Sequence, residues 1–176
     1  NEVWHTKKPV KTSAWHHHSQ LVLIVCQNST QIYTISLHQS SKVLQSDVIL
    51  DVSLNAPSTA LSKATIEHIL WNPSSRRLIV QYQQKHQINL LTVFDTHYQH
   101  HLKLHFSFMG YIKGPKEGDT ISNDTKVHPP IYMTFKQHVN LNDYNALLAV
   151  CWNDNIISTI PMYFSLNDND HLHSLN

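Results

Sequence analysis

The sequence predicts an all-β protein assembled from repeated strand units, and three observations carry that prediction. Short apolar or alternating runs recur along the 176 residues, and no stretch has the spacing of a long amphipathic helix. Between the runs lie residues that favour chain reversal, as in Asn28-Ser29-Thr30 and Asn72-Pro73-Ser74-Ser75. The runs also recur three times in the same order, each set opening on a strand that closes with an aromatic: Trp15, Trp71 and Phe135.

Taken in order, Leu21 to Cys26 is continuous and β-branched-rich, as a strand buried on both faces should be. Ile32 to Leu37 alternates with period 2, the mark of a half-buried strand. Val43 to Val52 supplies a further strand before the loop around Asn55-Ala56-Pro57. The second set reads Ile66 to Trp71, Leu78 to Tyr82, Ile88 to Phe94 and an outer strand over Leu102 to Ile112. Gly114 to Pro129 is a polar loop. The third set reads Ile131 to Phe135, Ala146 to Trp152 and Ile156 to Phe164. Three anchors align the sets: the aromatics above, then Leu21, Leu78 and Leu147, then Ile32, Ile88 and Ile156.

Trp71 follows Trp15 by 56 residues (71 − 15) and Phe135 follows Trp71 by 64 (135 − 71). These spacings exceed the roughly 40–45 residues of a compact WD-type repeat, and the Asn55 and Pro115 loops absorb the excess. Four-strand units that bury their faces only against neighbours predict a β-propeller, here about three blades of an incomplete ring. The blades are expected near 9–54, 64–114 and 130–164, so that 1–164 is a partial propeller and 165–176 a polar tail. The third unit lacks a fourth strand, as a fragment of a longer protein would.

Composition excludes several function classes. Formal charge is +1 and only 14% of residues are charged, against a usual quarter, so no basic field for nucleic acid arises. Cys26 and Cys151 each sit inside an apolar run, as small hydrophobes of a reducing compartment rather than a disulfide framework. The longest apolar run, Leu21 to Cys26, is far short of the about 20 residues that cross a bilayer, and Asn1 to Val10 has no signal-peptide core.

No motif with catalytic spacing appears. His16-His17-His18 lies on a turn, where adjacent side chains diverge, so a solvated turn is expected rather than a metal site. His171 and His173 read the same way. Asn28-Ser29-Thr30 and Asn123-Asp124-Thr125 match the glycosylation pattern but read as turns. Gly114-Pro115-Lys116-Glu117-Gly118-Asp119 lacks the Gly-Lys-Ser/Thr ending of a phosphate loop. Glu67 and His68 are neighbours on a strand and should point to opposite faces, which rules out an acid–base pair. No catalytic residue, cofactor or metal is expected.

Two strings carry a resemblance. Ile69 to Leu78 is similar to the W-x-P-x-x-x-x-L strand-turn-strand of divergent propellers, and Phe94-Asp95 stands where WD repeats have Trp-Asp. More specifically, Ala146 to Trp152 followed by Ile156 to Phe164, with Ile160-Pro161-Met162-Tyr163-Phe164 at its end, resembles the final blade of the aladin family of WD-repeat nucleoporins. Weaker similarity reaches back to Val3-Trp4. The chain has only three glycines and no Gly-His or Trp-Asp dipeptide, so the hydrogen-bonded tetrad of strict WD repeats is not expected. The resemblance implies a seven-bladed, non-catalytic scaffold at the nuclear pore, held by a multi-spanning pore-membrane nucleoporin among other nucleoporins and linked to spindle organisation. It implies no direct nucleic-acid contact and no membrane insertion. A coat or ubiquitin-ligase adaptor with the same repeat is the alternative. Trp15, Trp71 and Trp152 are expected to pack between blades. Tyr163 and Phe164 close the last strand, and all five are candidates for a partner-binding rim.

Overall fold

The computed structural model describes residues 6, 8–17, 21–36, 46–55, 62–83, 88, 90–99, 103–115, 128–136 and 146–162. Among the described residues eleven strands form three antiparallel sheets. The first holds β1 (Val10–Trp15), β2 (Leu21–Cys26), β3 (Gln31–Ser36) and β4 (Ser46–Asp51) in that order. The second holds β5 (Ile66–Trp71), β6 (Arg77–Tyr82), β7 (Leu90–Gln99) and β8 (Lys103–Lys113). The third holds β9 (Pro130–Phe135), β10 (Ala146–Trp152) and β11 (Ile156–Met162), with β10 in the middle. Each sheet is a simple meander, which short local turns can close without crossovers.

The turns explain the reversals. In the β5–β6 turn the Ser75 amide donates to the Asn72 carbonyl at 2.8 Å, and Asn72 Oδ1 accepts from the Arg77 amide at 2.7 Å. Ser75 takes a positive φ of 55°, as Asn28 does in the β2–β3 turn. At the start of the 3-10 turn after β4, Asp51 accepts from both the amide and the hydroxyl of Ser53. Burial pushes that carboxyl up, but the bonds from Ser53 and Gln31 together outweigh it and hold the group below the ordinary carboxylate value.

Sheet two lies between the other two, and strand β6 shows how. Leu78, Val80 and Tyr82 join a core with Leu23, Val25 and Ile32 of sheet one. Ile79, between them, joins Leu91 and Val93 in a second core with Met133, Phe135, Leu148, Val150 and Trp152 of sheet three. Period-2 alternation thus sends successive side chains into different interfaces. Each buried aliphatic contributes about 1.5–3 kcal/mol relative to exposure. Tyr82 carries its hydroxyl inside by bonding Thr92 at 2.7 Å, and burial pushes its pKa up to about 12. Gln81 spans to sheet three, its Nε2 donating to the Pro130 carbonyl at 2.8 Å. The first strands β1 and β5 run beside each other, whereas the outermost strands β4 and β8 touch only briefly, so these two sheets splay like blades.

A shared irregularity identifies the sheets as copies of one unit. Between the first and second strands each skips one residue: Lys11 between the pairs Val10–Cys26 and Thr12–Val25, Glu67 between Ile66–Tyr82 and His68–Gln81, and Ile131 between Pro130–Trp152 and Tyr132–Cys151. A bulge at the same place three times is a feature of the repeat.

Register corrects two of the sequence anchors. Trp15 pairs with Val22, Trp71 with Leu78 and Phe135 with Leu148, so the second column is Val22, Leu78 and Leu148, not Leu21, Leu78 and Leu147. The third column aligns Ile32 with Leu91 and Ile157 rather than with Ile88 and Ile156. A one-residue slip exchanges the faces of a strand, which is why the distinction matters. β7 also runs past Phe94 to Gln99, because its polar end is held by pairing with β8, as in Gln99–Lys103, and needs no apolar run.

Candidate interaction surface

Only part of the expected aromatic rim packs between sheets. Trp71 is 3% exposed and meets the His16 ring edge-on at 4.8 Å, and among the described residues its Nε1 has no hydrogen-bond partner. Trp152 is 1% exposed and donates from Nε1 to Ser158 Oγ at 3.0 Å. A Cβ at Gly114 would stand 3.1 Å from the Trp152 ring and 2.9 Å from the His128 carbonyl, so only glycine lets the chain pass there. Trp15 departs from expectation: it is 58% exposed. It occupies the same place in sheet one as Trp71 and Phe135 do in theirs, but those two face a preceding sheet and Trp15 has none among the described residues. Tyr163 and Phe164 lie outside the described residues, as do His18, His171, His173 and Asn123. Trp71 and Trp152 belong to separate cores, so the candidates do not converge on one site.

The histidine turn departs from the solvated reading at His16 alone among the described residues, and His17 is exposed as expected. His16 is buried, and its amide donates to the Leu21 carbonyl at 2.9 Å. The His17 amide donates to Ser75 Oγ at 2.8 Å, tying this turn to the β5–β6 turn. Among the described residues no group of three or more His, Cys, Asp or Glu side chains is placed to hold a metal.

Glu67 and His68 both reach β1, contrary to strict alternation, because the bulge falls on Glu67. Glu67 meets Lys11 Nζ at 2.6 Å, and His68 Nδ1 shares a hydrogen bond with Thr12 Oγ1 at 2.8 Å. Burial lowers the His68 pKa below 6.5, against the raising influence of Glu67. Folding therefore favours the neutral ring. Its contribution to stability is complete above the unfolded value of about 6.5 and is lost as pH falls through the lower folded value. Urea midpoints should decline from about pH 8 to about pH 5, and His68→Gln should flatten that decline.

Two apolar faces lie at the ends of the stack of described sheets. On sheet three, Tyr132, Cys151 and Ile157 stand in register on the side away from sheet two, with Leu147 further along β10. Tyr132 is 56%, Leu147 39% and Ile157 69% exposed. The counterparts of Ile157 in sheets one and two, Ile32 and Leu91, are fully buried under the next sheet. On sheet one, Trp15 and Val48 (51% exposed) mark the opposite end, while Val22 and Ile24 between them are shielded yet belong to neither core. None of these side chains is charged. Strand periodicity alone cannot reveal such faces, since every unit has the same alternation and differs only in whether a neighbour follows.

No family model matches the chain, and no curated protein does. Among solved structures it is similar to the β-propeller domain of Cps50 (Swd1) from Myceliophteria thermophila, at 12% identity and a TM-score of 0.44. The likeness covers 92% of this chain and 47% of that one, so this chain spans about half its length. Strand order, the repeated bulge and the two-sided burial of sheet two establish the fold: an all-β partial propeller of three stacked, blade-like sheets.

Proposed function

We propose that this chain is a structural, non-catalytic protein-binding scaffold of the nuclear pore, held among other nucleoporins through a multi-spanning pore-membrane nucleoporin. The reading rests on one observation, the resemblance of Ala146 to Phe164 to the final aladin blade. The described part of that string forms the β10–β11 hairpin, paired residue by residue from Trp152–Ile156 to Ala146–Met162. Uncharged apolar faces and splayed sheet edges give such a scaffold broad contact area, which suits adhesion to protein partners. In this reading residues 1–164 form the propeller part and 165–176 a polar tail, and the protein supports nucleocytoplasmic transport and mitotic spindle organisation.

A fluorescently tagged full-length protein tests it. A punctate nuclear rim in interphase is the expected pattern. Diffuse cytosolic signal would count against the nuclear-pore assignment while leaving the fold untouched.

A further inference from the structure

We propose that His97 and His105 form a chelating site for a divalent transition metal of the zinc–copper range, built on the β7–β8 hairpin. The two residues are eight apart in sequence (105 − 97) but stand directly opposite each other in the ladder. Opposed side chains on one face have Cβ atoms about 4.5–5.5 Å apart, a span that one ion can bridge between two imidazoles. Here the ring centroids are 5.0 Å apart and the planes are inclined at 44°. Two nitrogens bound to one tetrahedral ion at about 2.0–2.1 Å stand about 3.4 Å from each other. Ring nitrogens lie at the edges, so rotation about the side-chain bonds closes the difference with the backbone unmoved.

The hairpin is held from behind. Thr96 faces the other way, its amide donating to the Arg76 carbonyl at 2.9 Å and its hydroxyl to the Ser75 carbonyl. Leu104 lies in the core shared with sheet one, and Phe106 packs against that core. Alternation then turns Asp95, His97, His105 and Ser107 outward together. The His97 side chain is 44% exposed and His105 is exposed as well, so an ion can reach both. Asp95 Oδ2 stands 3.9 Å from His97 Nδ1, while Oδ1 of the same carboxylate is held by Arg77. That carboxylate favours the tautomer with its proton on Nδ1 and leaves the Nε2 lone pair for a metal, as carboxylates commonly do behind ligating histidines. Imidazole suits zinc, copper and nickel. Among the described residues no third His, Cys, Asp or Glu completes the set, so the remaining positions are open to water or to a donor on a bound molecule. Both ligands come from one hairpin of the middle sheet, so the site does not depend on what stands beyond either end of the stack. The inference is independent of the nuclear-pore reading.

Zinc chloride titrated into the purified 176-residue chain tests this, with the histidine ring signals followed by nuclear magnetic resonance. The rings of His97 and His105 should shift together with a single midpoint, because one ion binds both. In H105Q the His97 midpoint should move to at least about tenfold higher zinc, and in H97Q the His105 midpoint should do the same, since losing even an outer partner of a ligand costs about that much. The other thirteen histidines (15 − 2) report background binding in the same sample. Both substitutions fall at exposed positions, and the shared midpoint of the wild type needs no variant at all. Separate midpoints for the two rings in the wild type would overturn the chelate. So would a change of less than about twofold in either variant.

Discussion

Replacing Trp152 with alanine should lower the free energy of unfolding by about 3–5 kcal/mol, the range for large buried aromatics. The ring is 1% exposed, lies against Gly114, and anchors Ser158 through its Nε1. It also belongs to the core that joins sheet three to sheet two. Its loss opens a cavity between two rigid sheets that collapse poorly, and removes a donor that leaves Ser158 without its partner. A urea titration followed by tyrosine fluorescence should show the midpoint falling sharply. A shift of less than about 1 kcal/mol would mean that sheet three does not pack on sheet two through this residue.

Leu78→Ala and Ile79→Ala should each cost about 2–5 kcal/mol, and the double substitution should cost their sum within about 0.5 kcal/mol. Both side chains are fully buried, yet they enter different interfaces, one toward sheet one and the other toward sheet three. Adjacent residues in a single core would compete for the same relaxation and depart from additivity. Denaturant midpoints and slopes for the three variants decide the matter. Strong coupling between the two sites would place them in one core.

Much of the fold was legible because the strands carry their own signals. The apolar patterns of Ile66 to Trp71 and Ala146 to Trp152 have the same bounds as the strands β5 and β10. The Asn72 turn announced itself through Asn, Pro and Ser. What sequence could not supply was register. Leu21 and Leu147 look like the natural partners of Leu78, but Val22 and Leu148 occupy its place. Nor does alternation predict a bulge: Lys11, Glu67 and Ile131 are chemically unlike one another, and only backbone pairing shows that they are equivalent.

Exposure was the other blind spot. Trp15 and Trp71 close equivalent strands, and one is open while the other is buried. The difference lies in whether a sheet stands in front, which is a long-range fact that no local window contains. Ile157 was hidden for the same reason. His16 departs from the solvated turn because it packs beneath a neighbouring blade's tryptophan, a contact across 55 residues of sequence (71 − 16).

Methyl-to-methyl nuclear Overhauser contacts from β6 would test the stacking of three sheets most directly. Leu78 should show contacts to methyls of Leu23, Val25 or Ile32, and Ile79 to those of Leu148 or Val150, with no crossing between the two sets. Contacts from both residues to the same sheet would show a single folded-over layer and contradict the propeller arrangement.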